Sequence, residues 1–111
     1  MTTHRLKTWP DAFEPTWVGD KVAEIRVNDR DYRRGDLLVL REWLPRSASY
    51  TGREVRAQVT HVLPAPCYGV PENYAMLSLR LLGRGVADCP ACRGLGGECV
   101  PCPACGVERL A

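Results

Sequence analysis

Residues 19–36 constrain the fold more than any other stretch, because ionisable side chains alternate with apolar ones and glycines bracket the run. Alternation at a period of two marks an extended strand, since successive side chains point to opposite faces. Ala23, Ile25 and Val27 share one face, and Glu24, Arg26 and Asn28 share the other. The expectation is that the apolar face builds core while the polar face presents chemistry. Lys21 follows Gly19-Asp20, and Asn28-Asp29-Arg30-Asp31 forms a polar turn that ends at Gly35-Asp36. Two cations, a carboxylate and an amide thereby converge on one strand and its two ends.

The flanking sequence supplies further strands. A short strand is expected at 5–8, then a helix over 10–18 entered through Trp9-Pro10, with Pro15 placed to shorten or kink it. Strands follow at 21–28, 37–43, 53–63 and 74–82. In the third of these, Val55, Ala57 and Val59 alternate with Glu54, Arg56 and Gln58, a half-buried pattern. Residues 47–52 form a hairpin-like loop. Residues 65–73 form a longer connection, whose two prolines and glycine keep it out of a sheet. Several strands with one early helix give an α+β, mainly β class, built as a small barrel or strongly curled sheet.

A chain of 111 residues holds one ordinary domain and at most a small appendage. Apolar residues make up 45% and charged residues 25%, the balance of a globular protein rather than a disordered one. Leu37-Leu38-Val39-Leu40 and Leu81-Leu82 fall far short of the ~20 residues a membrane span needs, and Met-Thr-Thr-His-Arg lacks an apolar signal core. The expected location is the cytoplasm, without a membrane partner. Arginine supplies 13 of the 15 cations. Its planar fork suits phosphate and base recognition, although a high-GC genome produces the same bias. A net charge of +2 is too small to drive tight polyanion binding by itself.

Five of the six cysteines fall between 89 and 105, in a Gly/Pro-rich tail. That shift in composition sets a boundary near Gly83-Arg84-Gly85, dividing the chain into 1–83 and 84–111. Cys89-Pro90-Ala91-Cys92 and Cys102-Pro103-Ala104-Cys105 are two matching knuckles, and four thiolates from two such turns suit structural Zn2+. Cys99 could substitute for Cys105, because Cys99-Val100-Pro101-Cys102 repeats the spacing. The tail has hardly any large apolar side chains, so metal binding worth ~10–16 kcal/mol would have to fold it. Disulfides, free thiols and iron–sulfur ligation are the competing readings. Cys89-Pro90-Ala91-Cys92-Arg93-Gly94-Leu95-Gly96 also resembles the C-x-x-C-x-G-x-G repeats of DnaJ-type chaperones, which implies a zinc knuckle and no chaperone activity.

Upstream, three runs carry a second resemblance. They are His4-x-Leu6-Lys7-x-Trp9-Pro10-x-x-Phe13, Gly19-x-Lys21-x-x-Glu24-Ile25-Arg26-x-Asn28-Asp29-Arg30-x-Tyr32-x-x-Gly35-Asp36 and Leu38-x-Leu40-x-Glu42-Trp43. Together they resemble a phage and bacterial family of unknown function that is related to ASCH domains and, more distantly, to PUA domains. The resemblance implies a PUA-like pseudo-barrel with a cleft between the first helix and the barrel, and RNA or nucleotide as partner. The residues are chemically suited to that role. Lys7 and Lys21 offer point charges, Arg26 and Arg30 planar forks, and Trp9 or Tyr32 a stacking face. Glu24 can accept from an amino-bearing base edge, while Asn28 and Asp29 add polar contacts. Each also has a plain structural reading: an ion pair along the strand, a capped turn, or core.

Two further functions remain open on sequence. Some ASCH-like proteins resemble amidohydrolases acting on acylated cytidine, with a lysine, a threonine three residues later and a distant glutamate. Here Lys21 is present, Glu24 stands at the threonine position, and Glu72 is the candidate glutamate. A carboxylate beside Lys21 favours lysine as an electrostatic clamp over lysine as a base. The other is a phage-type adaptor that docks a protein partner through the knuckle. His4 and His61 lack obvious partners and read as structural; Cys67 has no identifiable activating histidine.

Overall fold

The described residues of the chain, 1–86 in a computed structural model, begin with a strand that alternates strictly. In β1 (Thr3–Thr8), His4, Leu6 and Thr8 are buried, whereas Thr3, Arg5 and Lys7 are exposed. Helix α1 (Pro10–Trp17) follows, with proline in its first turn, where the missing N–H breaks no hydrogen bond. Phe13 and Thr16, three residues apart, face the sheet and are fully buried. Trp17 stacks on Phe13 at 5.8 Å between ring centroids. Gly19 then takes a φ of 90°, a left-handed turn that glycine makes without a Cβ clash. It brings the amides of Asp20 and Lys21 onto the Pro15 carbonyl at 2.9 and 3.0 Å, fixing Lys21 at the foot of the next strand.

That strand, β2 (Ala23–Val27), is followed by β3 (Leu37–Leu44), β4 (Ser49–Pro64) and β5 (Tyr74–Val86). The sheet order is β1-β3-β4-β5-β2, in which β1 and β3 run parallel and every other pair is antiparallel. Register shifts interrupt the β4–β5 ladder at Arg56/Ala57 and Val59/His61, and the β3–β4 ladder at Arg41/Trp43. Such irregularities raise local twist, and the sheet curls into a half-barrel. Leu6, Leu38, Leu40, Val55, Val59 and Leu77 fill its concave side together with Phe13. The mainly β class with one short helix is thus the observed architecture.

Three features differ from the sequence expectation. The β3–β4 connection is tighter than expected, so β4 starts at Ser49, with Ala48 at a φ of 49° making the turn. Strand β5 runs through Gly83-Arg84-Gly85 to Val86, and both glycines are buried opposite Arg56 and Glu54. Paired on β4 in this way, the two glycines continue the strand instead of ending it. The third difference is the orientation of β2. Glu24 lies opposite Leu77 and Arg26 opposite Ala75, both fully buried core residues, and directly opposed residues share a face. The polar row therefore points into the half-barrel, while Ile25 and Val27 are 61% and 46% exposed. Alternation separates two faces without saying which is inside, and here ion pairs stabilise the charged row at the open end of the concavity.

The β2–β3 connection is held by one carboxylate. Asp36 accepts from Thr2 N at 3.1 Å, Arg33 N at 3.0 Å and the His4 ring at 2.9 Å. His4 in turn meets Tyr32 edge-on at 4.8 Å. Burial pushes the Asp36 carboxyl up, but the hydrogen bonds from His4, Thr2 and Arg33 outweigh it and hold it below its ordinary value. Glu42 is also lowered, chiefly by its hydrogen bond from Arg53, against the opposing effect of burial.

Both groups bind protons less readily in the folded chain than in the unfolded one. Their stabilisation is complete above the unfolded carboxylate range near ~4 and is lost as pH falls through their lowered folded values. The urea midpoint is therefore expected to drop between pH 6 and pH 3. Asp36→Asn and Glu42→Gln should each lower it at pH 6 and shrink that acid loss. A wild-type midpoint unchanged across this interval contradicts the assignment.

Candidate nucleotide-sized cleft

The two edge strands of the curled sheet, β1 and β2, approach each other and are bridged by Arg26. Its Nε donates to Glu24 Oε2 at 3.0 Å, and its Nη2 donates to the Lys7 carbonyl at 2.9 Å and to Thr8 Oγ1 at 3.0 Å. Above the bridge opens a cleft of about 580 Å3, within the size range of small-molecule sites. Its floor carries Glu24, Arg26, Leu6 and Tyr32, and its rim takes side chains from β1, the helix entrance and the β2–β3 connection.

Glu24 is the chemical centre. It is 6% exposed, and two cations offset its buried charge, Arg26 at 3.0 Å and Lys21 at 3.2 Å. The Lys21 ammonium lies beside Oε1 as an ion pair, and that oxygen is withdrawn from solvent. Burial pushes the Tyr32 phenol up, against the lowering influence of Arg26 and Arg30, so it lines the floor as a neutral hydroxyl.

Around this centre the rim is cationic and aromatic. Arg5, Lys7 and Arg30 join Arg26 as lining cations, against the carboxylates Glu24 and Asp29. Trp9 is 57% exposed, and Tyr50 and Tyr74 are each 37% exposed. All three residues line the cleft, Tyr50 with its ring packed edge-on against Trp43 and under the Arg41 guanidinium. Lys7 also lies 4.0 Å from the centroid of Trp43, which anchors its stem beside the rim.

The structure thus brings together Lys7, Trp9, Glu24, Arg26, Asp29, Arg30 and Tyr32 from the sequence-selected set. Lys21 reaches the cleft only through Glu24 and does not line it. Asn28 serves the turn: its Oδ1 accepts from Tyr32 N at 3.3 Å. Glu72 is exposed on the β4–β5 connection, outside the cleft lining. His4 is buried against Asp36, while His61 and Cys67 are exposed and apart from the cleft. Sequence reasoning missed Arg5, Tyr50 and Tyr74. Arg5 was legible, since it shares the outward face of β1 with Lys7; the tyrosines arrive through the curl of the sheet, which no local pattern reports. Among the described residues no cluster of three or more His, Cys, Asp or Glu is placed to hold a metal. The expected zinc ligands Cys89, Cys92, Cys102 and Cys105, with Cys99, lie outside the described residues.

Removing Arg26 strands Glu24 with one cation and unties β1 from β2. Arg26→Ala is expected to destabilise the fold by about 1–3 kcal/mol, less than the ~3–5 kcal/mol of a fully buried pair, because the guanidinium is 22% exposed. Lys21→Ala should cost less than Arg26→Ala. Arg26→Lys should recover little, since an ammonium lacks the fork that reaches both strands. Urea midpoints for the three variants check this ranking.

Comparison with known proteins bears out the part of the resemblance that points to a phage-related family of unknown function. The chain is 39% identical over 80 residues to an uncharacterised 12.9 kDa protein in the GpA 3′ region of Escherichia phage P2, an alignment covering 72% of this chain and 69% of the phage protein. Residues 3–79 match the sequence profile of DUF3850, a domain of unknown function. That match takes in β1, α1 and β2, the β2–β3 connection and every residue of the cleft, and the chain belongs to the DUF3850 family.

Proposed function

We propose that the cleft binds a nucleotide or the nucleotide unit of an RNA strand, in the manner of a non-catalytic ASCH or PUA-like module. One observation carries the reading. Partly exposed Trp9, Tyr50 and Tyr74 stand beside exposed Arg5, Lys7 and Arg30 around a single polar floor, a combination suited to a planar base joined to a phosphate. Trp9 and Arg30 are the informative positions for a test, since both line the cleft while exposed, and neither holds the sheet together. Single-stranded RNA oligomers and mononucleotides are expected to bind at low salt, more weakly as salt rises. Trp9→Ala should weaken binding about fivefold or more, the effect of losing one stacking partner, and Arg30→Ala should flatten the salt dependence. Absence of binding at low salt, or unchanged affinity in both variants, overturns the proposal.

The hydrolase reading draws less support. Lys21 is paired with Glu24 and Glu72 stands away from the cleft, so the three groups that reading requires do not surround one site.

For the tail we propose a structural zinc held by Cys89, Cys92, Cys102 and Cys105, supported by the two matching knuckles and by their chemistry. A protein partner docking on that knuckle rests on the same spacing. Purified full-length protein is expected to carry one zinc per chain by elemental analysis, and Cys102→Ser should reduce the metal content. Metal-free protein of full-length mass sinks the assignment.

A further inference from the structure

We infer that Ile25, Val27 and Tyr74 form the wall on which the face of the base lies, while Arg5 and Lys7 hold the phosphate on the wall across the Arg26 bridge. This rests on the nucleotide reading above and adds to it a base-contacting surface and an orientation.

The walls follow from the sheet order. β1 and β2 are its terminal strands, so each has one free edge, and both line the cleft. Their inward residues, Leu6 and Thr8 on one strand and Glu24 and Arg26 on the other, supply the floor. Their outward residues supply the walls, and the two walls differ in chemistry. On β1 the outward lining residues are Arg5 and Lys7, both exposed. On β2 they are Ile25 and Val27, 61% and 46% exposed. Val27 stands directly opposite Tyr74 on β5, and opposed residues share a face. The lining tyrosine thereby extends the apolar wall into a surface of three neighbouring side chains.

An apolar wall beside a cationic one fits a ligand that is planar and apolar at one end and anionic at the other. The charged floor groups are already engaged within the fold. Glu24 has a cation on each carboxylate oxygen, and Arg26 commits Nε and Nη2 to Glu24, the Lys7 carbonyl and Thr8. Contact with the base therefore falls to the exposed side chains, where a flat face buries apolar surface whatever the base. A second copy of this chain is a poor occupant. Three side chains fall far short of the ~800 Å2 per partner that a stable interface buries.

The test separates the base from the phosphate. Full-length chain is titrated with AMP and with ribose 5-phosphate, which keeps the phosphate and lacks the base. AMP is expected to bind at least about tenfold more tightly. Ile25→Ser and Val27→Thr should each weaken AMP and a short single-stranded RNA about threefold or more, without weakening ribose 5-phosphate. Both residues are exposed, and an unchanged urea midpoint checks that the fold is kept. Equal affinity for AMP and ribose 5-phosphate, or unchanged AMP and RNA affinity in both variants, overturns the wall and leaves nucleotide binding standing. Absence of binding by AMP and by RNA instead overturns the nucleotide reading itself.

Discussion

The guanidinium of Arg26 holds the two ends of the sheet to one another. One edge of its plane is fixed by Glu24 on the same strand, and the other reaches the Lys7 carbonyl and Thr8 across the gap. The β1-β3-β4-β5-β2 order leaves β1 and β2 each with one ladder partner, so this crossing ties two strands that no ladder joins. A planar group with donors on several sides does what a flexible ammonium cannot. The cleft geometry is therefore a by-product of how the half-barrel is tied.

The same tie explains why a carboxylate is tolerated inside. Burying Glu24 alone would be prohibitive, yet the helix C-terminus delivers Lys21 to one side of it through the Gly19 turn, and the strand delivers Arg26 to the other. The result is a buried carboxylate with a cation on each of its oxygens. Asp36 plays an architectural part, joining Thr2, His4 and Arg33 so that the connection carrying Asp29, Arg30 and Tyr32 is set against β1. Two buried carboxylates thus divide the labour between holding the frame and furnishing the cavity.

Much of this was legible in the sequence, and the exceptions have physical causes. The strand at 53–63 followed from alternation, and the start of the helix from Trp9-Pro10. Glu24 and Arg26, the charged residues of β2 that line the cleft, also stood out. Which side of β2 faced inward did not, because an amphipathic strand reads the same from either face until its neighbours are known; the pairing of Glu24 with Leu77 decides it. Tyr50 and Tyr74 were invisible for a related reason, since they come from distant strands and meet only after β4 and β5 bend. Glycines at 83 and 85 looked like punctuation, but both are buried and paired within the β4–β5 ladder.

The reversal of β2 also shapes how this molecule behaves among its own copies. Ile25 and Val27 face solvent from a strand at the margin of the sheet, the arrangement that ordinarily invites intermolecular strand addition and fibrous growth. Here that margin is only five residues long, a basic side chain crosses from it, and the opposing strand's Lys7 carbonyl is already engaged. The bond that ties the half-barrel thus doubles as a guard against templated self-association, so loss of that single side chain endangers colloidal solubility as well as the cleft.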